Sequence, residues 1–307
     1  MLLTAIPTPG MAVFLYSAHY KNARSLQKFP FEGLPLHFAV RQGQGKYLAV
    51  PTDQEEPEMT SLTLAYPDST VHEATAATII RVLEANDIEP EIVTGPKEAL
   101  ADLLRKGEVD IYVAAWLPEE DANLLSPGIT QLGKLFRPEA CCCISDENSP
   151  ITSLDELAQN AQAVSRVIVT PQSLAKRMQH TLDAYGLAAS GFTLDILPDE
   201  EALARLNAAL GADTPSIMPL FQPCFLFHQG GLCILNDPRK AMGEEQEATL
   251  LLRAGLRDEL ETDLLDELDE LMLSAKIISA MDYAMRVEGM SADEAAEAWQ
   301  RGKLLPR

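Results

Sequence analysis

The sequence predicts an α/β protein made of two lobes, with the second lobe inserted into the first. Two separate series of short apolar strands alternate with amphipathic helices, and the C-terminal part is helical. This alternation is typical of parallel sheets, because a helix carries the chain from the end of one strand to the start of the next. The 307 residues are enough for two lobes with separate cores.

Composition and pattern divide the chain into four segments. The first 52 residues contain one acidic residue, Glu32, and an acidic stretch, Asp53–Glu58, follows them. We interpret residues 1–58 as an N-terminal extension and linker, 59–138 as the first part of lobe 1, 139–218 as the inserted lobe 2, and 219–307 as the second part of lobe 1, with a helical C-terminus.

The first series predicts a β-α-β-α-β unit. Its elements are a strand at 62–66, a helix from Thr70 to about Asn86 opened by a capping box of Thr70 and Glu73, a strand at 91–94, a helix starting at Pro96, and a strand at 109–113. Such a unit builds a parallel sheet whose strands end at a common edge.

The remaining elements follow the same logic. We predict strands at 140–144, 166–169, 192–196 and 215–218, a capping box at Ser153 and Glu156, and helices at 173–185, ended by Gly186, and at 200–210. One long amphipathic helix is predicted from Leu264 to Met285, ending at Gly289. A last helix, capped by Ser291 and Glu294, carries Trp299.

Charge and apolar patterning limit the partners. A formal charge of -22 repels phosphate backbones and anionic lipids, so neither nucleic acid nor a membrane surface is expected as a partner. No apolar run is long enough to span a bilayer, which predicts no membrane insertion. The first 20 residues lack the features of a signal peptide, and this favours a cytoplasmic location.

The five cysteines and the histidines indicate no catalytic or metal site. The cysteines lie at 141, 142, 143, 224 and 233, without a C-x-x-C pair, so neither a disulfide framework nor a zinc site is predicted. Cys141 and Cys143 should face one side of a strand and Cys142 the other. We predict no cofactor and no enzymatic activity, and keep an enzyme with Cys142 or Cys224 as nucleophile as a minor alternative.

Several segments resemble one known family. The run Gly107–Pro118 reads GEVDIYVAAWLP and is similar to a signature of the glycine betaine and choline substrate-binding proteins of ABC importers. Further matching segments follow in that family's order: Ile151–Leu157, Tyr185–Leu187, Leu235–Arg239, Gly243–Glu245 and Ala295–Trp299. The resemblance covers residues 61–301.

The resemblance implies a type II periplasmic-binding-protein fold, in which each lobe has a parallel-rich sheet flanked by helices and two crossovers form the hinge. It implies binding of a small polar or cationic solute, such as a quaternary amine, in a cleft closed by hinge motion. The partners would be an ABC permease and an ATPase, and the location extracytoplasmic. An intracellular ligand sensor or regulatory protein that reuses the fold remains the alternative.

The resemblance also nominates ligand-binding residues. Trp116 lies near the end of the signature, and Phe221 begins Phe221-Gln222-Pro223, where the family usually shows Trp-x-Pro. The other candidates are Tyr66, Asp68, Pro118, Gln222, Gln172 and Ser173. Aromatic faces attract quaternary ammonium groups, which cannot donate hydrogen bonds. Pro171 stands in a turn that is rich in glycine in the family, and it has no N–H to offer a ligand. Core packing for Trp116 and Tyr66 and a helix cap for Asp68 remain open.

Overall fold

The computed structural model describes residues 62–306 and four short strands that precede them. These strands form two antiparallel pairs, β1 (Pro7–Thr8) with β2 (Met11–Ala12) and β3 (Ala39–Gln42) with β4 (Lys46–Ala49). The chain divides into two compact units, Met1–Glu58 and Met59–Arg307. The predicted acidic linker at 53–58 and most of the first 20 residues lie outside the described residues.

The second unit alternates strands with helices. Its strands are β5 (Thr63–Pro67), β6 (Glu91–Gly95), β7 (Ile111–Leu117), β8 (Thr130–Phe136), β9 (Glu139–Ile144), β10 (Val167–Pro171), β11 (Thr193–Leu197), β12 (Ile217–Gln222), β13 (Cys233–Ile234) and β14 (Glu247–Leu252). Its helices are α1 (Thr70–Ala85), α2 (Lys97–Lys106), α3 (Ala175–Tyr185), α4 (Asp199–Ala208), α5 (Phe225–Gln229), α6 (Leu256–Glu259), α7 (Thr262–Glu270), α8 (Ala275–Arg286) and α9 (Ala292–Gln300). Within 62–306, none of these helices has the length and apolarity that crossing a membrane requires.

Lobe 1 is built on a five-stranded sheet of order β6-β5-β7-β14-β8. β5 pairs in parallel with β6 and β7, as the first series predicts, whereas β14 is antiparallel to both β7 and β8. The strands β8 and β14 were not predicted from the sequence. One core lies between this sheet and α1, α8 and α9, and a second lies on the opposite face under α2.

Lobe 2 contains a parallel pair and an antiparallel group. β10 and β11 pair in parallel, and β9 lies between β12 and β13, antiparallel to both. The boundary that we place after residue 218 falls inside β12. Because β13 pairs with β9 of lobe 2, the chain returns to the five-stranded sheet of lobe 1 only at β14. The two crossovers therefore join β8 to β9 and β13 to β14. As predicted, Cys142 faces one core and Cys141 and Cys143 the other.

Local capping signals have mixed outcomes. The predicted capping boxes at Ser153 with Glu156 and at Ser291 with Glu294 are present, and Gly186 ends α3 at a φ of 63°. The predicted box of Thr70 with Glu73 is wrong. Ser69 caps α1 instead, since its side chain accepts a hydrogen bond from the His72 N–H, and Thr70 is already the first helical residue.

The long C-terminal helix is also corrected. The chain forms α7 and α8 with a break between them, because Leu273 leaves the helical path to donate its N–H to the Leu135 carbonyl, 2.7 Å away, and is buried there. Ser274 then caps α8 by accepting from the Ile277 N–H at 3.2 Å. Apolar spacing continues across the break, so it cannot reveal this interruption.

Candidate functional site

A cavity of about 470 Å³ opens between the two lobes. Lobe 1 lines it with Pro67 and Gly95, which end β5 and β6, and with Trp116 near the end of β7. Lobe 2 lines it with Pro171, which ends β10, and with Asp199, which begins α4. The cavity thus lies beyond the carboxyl ends of parallel strands from both lobes, the position where open α/β sheets bind ligands.

The orientation of Trp116 depends on a bulge within β7. Ala114 has a φ of 59°, a left-handed value that residues with side chains rarely adopt, and the pairing with β14 shifts register at this point. Strict alternation after Val113 would place Trp116 on the opposite face of the sheet. The bulge instead brings both residues into the core under α1. It therefore turns the indole toward the first turn of α1.

Three groups surround the Trp116 ring, which is 6% exposed. His72 stacks with it at a centroid distance of 5.5 Å and an interplanar angle of 19°. Phe221 meets it edge to face at 5.4 Å. The ammonium of Lys97 lies over the ring, 5.7 Å from its centroid. Trp116 and Phe221, both nominated from the sequence, are therefore in contact.

His72 is held as a neutral ring. Burial lowers its pKa to about 3, the nearby Lys97 charge acts in the same direction, and the Ala114 backbone opposes both. Ser69 Oγ and His72 Nδ1 are hydrogen bonded at 2.7 Å. A neutral His72 adds no positive charge beside the indole at physiological pH.

Asp121 fixes Lys97 and the turn that follows β7. Its carboxylate accepts from the backbone N–H of Trp116 at 2.8 Å through Oδ2 and from Lys97 Nζ at 2.8 Å through Oδ1. Asp121 is buried, whereas the Lys97 side chain is 36% exposed and lines the cavity. Asp121 therefore neutralises the charge of Lys97 and holds its ammonium over the indole of Trp116.

Acidic groups outnumber basic groups along the cavity. The carboxylates that line it are Asp68, Glu120, Asp199, Glu200 and Asp282, and the positively charged residues among the described lining residues are Lys97 and Arg286. Asp68 and Asp199 are exposed. This imbalance favours a ligand that carries positive charge.

Arg286 joins the two lobes across the cavity. Its guanidinium pairs with both carboxylate oxygens of Glu200 on α4, at 2.7 and 2.9 Å. Its Nε donates to Thr70 Oγ1 at 2.7 Å and to Asp282 Oδ1 at 2.9 Å. Asp282 is buried, and its Oδ2 also accepts from the Phe225 N–H. The arginine is thus fixed to lobe 1 and reaches lobe 2 through a two-point contact.

A second group of ion pairs links the lobes at another position. Arg177 of α3 pairs with Glu119 at 3.0 Å and with Glu120 at 2.5 Å, and donates to the Met242 carbonyl at 2.7 Å. The backbone N–H groups of Glu119 and Glu120 also donate to Gln246, which lies just before β14. The turn after β7 is therefore bound to lobe 2 and to the second crossover.

The structure brings together four of the eight residues nominated by sequence: Trp116, Phe221, Asp68 and Ser173 line the cavity. The other four do not line it: Tyr66, Pro118, Gln172 and Gln222. Tyr66 packs against the core under α1, and Pro118 lines a separate depression beside Gln246.

Four residues that shape the cavity were not predicted from the sequence: His72, Lys97, Glu200 and Arg286. His72 begins a His-Glu pattern like that of a helical zinc motif, but Ala76 stands where the second histidine of that motif would be. Lys97 and Glu200 lie in the first turns of helices that follow strands. This position in the sequence could have indicated a place at the cleft, because ligands bind beyond the carboxyl ends of parallel strands. No local sequence pattern identifies Arg286 as a cavity residue, because Thr70 and Glu200, two of its partners, lie far away in the sequence.

The chemistry of the thiols does not favour a cysteine nucleophile. Burial raises the pKa of Cys142 well above its ordinary value and that of Cys224 to about 12. Within the described residues, no group of three or more His, Cys, Asp or Glu side chains is arranged to hold a metal ion.

Two α/β lobes, two crossovers and a cleft at the strand ends define the class of two-lobed, type II periplasmic binding proteins. Residues 60–301 match the family model described as the substrate binding domain of the ABC-type glycine betaine transport system. The match covers well over half of the chain, so the chain belongs to this family. It is a substrate-binding component of an ABC transporter and not an enzyme. No curated protein matches the sequence.

Solved structures with the same fold include three binding proteins. Lactococcal OpuAC, in its closed-liganded conformation complexed with glycine betaine, is 17% identical, with a TM-score of 0.64 over 79% of this chain and 96% of that one. The glycine/betaine/L-proline-binding protein ProX from Borrelia burgdorferi is 19% identical, with a TM-score of 0.63 over 81% and 97%. An ABC-transporter choline binding protein in complex with choline is 16% identical, with a TM-score of 0.61 over 78% and 88%.

Proposed function

We propose that the cavity between the lobes binds a small quaternary amine of the glycine betaine or choline kind. The observation that carries the proposal is the combination of an aromatic floor, Trp116 with Phe221, and an excess of carboxylates around it. A quaternary ammonium group has no N–H, so it is held by aromatic faces and by negative charge rather than by hydrogen bonds.

The family and the fold support this ligand class. Glycine betaine and choline are the ligands named for two of the similar structures. The neutral state of His72 also suits a cationic ligand, since a charged imidazole beside Trp116 would repel it. Of the nominated residues, Trp116, Phe221, Asp68 and Ser173 are the ones we assign to this site. Tyr66, Pro118, Gln172 and Gln222 are not assigned to it.

We further propose that the loaded protein delivers its ligand to a membrane permease driven by an ATPase, on the extracytoplasmic side where members of this family normally act. The two lobes would close on the ligand by a hinge motion at the two crossovers. The permease surface would then recognise the closed form.

Calorimetry and fluorescence test the ligand proposal. The variant W299F leaves Trp116 as the single tryptophan, because the chain contains two, and serves as the matched control. We expect heat of binding and a change in Trp116 emission when glycine betaine or choline is added to it. Adding the substitution F221A to W299F should raise the Kd about tenfold, because the aromatic floor loses one of its two rings. If the wild type binds neither glycine betaine nor choline, the proposal is refuted.

A further inference from the structure

Lys97 occupies the position over Trp116 that a ligand cation needs. Its ammonium lies 5.7 Å from the indole centroid, within the range in which a cation is attracted to an aromatic face. His72 stacks on the same ring and Phe221 contacts its edge, so little of the ring surface is left. A ligand that carries only positive charge must therefore displace Lys97 or bind beside a like charge.

The ammonium group of Lys97 has N–H donors that can serve a ligand. An ammonium group carries three N–H donors, and the hydrogen bond seen for Lys97 engages one of them, with Asp121. Its side chain is 36% exposed and lines the cavity. Arg286, the other base among the described lining residues, is already engaged by Glu200, Asp282 and Thr70. Lys97 is thus the cation in the cavity best placed to meet an anionic group of a ligand.

We propose that Lys97 is a specificity-determining residue that selects zwitterionic quaternary amines, with a carboxylate beside the ammonium, over purely cationic ones. The ligand carboxylate accepts hydrogen bonds from Lys97 Nζ. The exposed carboxylates of Asp68 and Asp199 then attract the ligand ammonium. This inference rests on the proposed function and deepens it, since it assigns the ligand class of the same site.

The test compares glycine betaine with choline by calorimetry. The wild type should bind glycine betaine more tightly. In K97Q, whose amide can still donate to Asp121, the Kd for glycine betaine should rise, because the ligand carboxylate loses its ammonium partner. The Kd for choline should fall about tenfold, because the competing charge over Trp116 is gone. K106Q, an exposed lysine change near the end of the same helix, is the matched control and should bind as the wild type does.

A second variant separates charge from folding. K97R keeps a positive charge beside Asp121, so it should keep the preference for glycine betaine, and thermal unfolding confirms that each variant is folded. Equal changes in both Kd values in K97Q, or loss of the preference in K97R, would overturn the role of the lysine while the ligand proposal stands. A wild type that binds neither compound overturns both proposals.

Discussion

The ion pair of Arg286 with Glu200 should stabilise the closed form of the protein. Arg286 is fixed on α8 in lobe 1, and Glu200 lies in the first turn of α4 in lobe 2, so opening the cleft breaks both hydrogen bonds between them. We choose the substitution E200Q, which removes the charge and keeps the size of the side chain. Its nearest matched control is E201Q, an exposed acid on the same helical turn.

The magnitude follows from geometry and exposure. Glu200 is 72% exposed, which screens the pair, whereas two-point pairing by a mostly buried arginine strengthens it. We estimate about 1 kcal/mol, near the upper end for exposed pairs. Because 1.4 kcal/mol corresponds to a factor of ten, loss of the pair should shift the equilibrium between closed and open forms about fivefold. Apparent ligand affinity should fall by up to the same factor.

The assay is calorimetry with glycine betaine, together with small-angle X-ray scattering of the unliganded protein. E200Q should bind more weakly and show a larger radius of gyration, while E201Q should match the wild type. The reasoning is refuted if E200Q and E201Q bind equally well.

The pH dependence provides an independent check of the same pair. The hydrogen bond from Arg286 lowers the pKa of Glu200, and burial acts in the opposite direction. A carboxyl group with a lowered pKa stabilises the structure above its ordinary pKa, near 4.5 for glutamate, and this stabilisation is lost as the pH falls below that value. Acidification below pH 4.5 should therefore weaken closure in the wild type, and E200Q should lack this component.

Two further predictions concern stability and thiol reactivity. The substitution S274A should lower the free energy of unfolding by about 1 kcal/mol, measured in urea, because α8 loses its side-chain cap; an unchanged unfolding midpoint would contradict this assignment. In the native protein a thiol reagent should modify Cys233 first, since it is partly exposed and the other four cysteines are buried. Equal reaction rates for all five thiols would show that the buried environment is wrongly assigned.

Much of the fold could be predicted from local patterns. Apolar alternation and capping residues locate β5, β6, β10 and β11 within one or two residues, because buried strands and helix caps need those residue types in that order. The two antiparallel strands β8 and β14 were missed. Their pairing depends on partners that lie far away in the sequence, which a local pattern does not contain.

The candidate site shows the same division at the level of single residues. The sequence nominated Trp116 and Phe221 together, and their rings lie 5.4 Å apart in the structure. It could not predict that Tyr66 packs into the core, because a residue at a strand end has two possible faces. It also could not predict the bulge at Ala114, which decides the face on which Trp116 lies.

The sequence by itself determined the alternating α/β order, the family and the aromatic pair, because these depend on residue type and short spacing. The tertiary structure alone decided which charges meet across the cleft. Arg286 and Glu200 are 86 positions apart, and Lys97 on α2 reaches Trp116 on β7. Such contacts depend on how helices and strands are placed against one another, and local residue spacing carries no record of that placement.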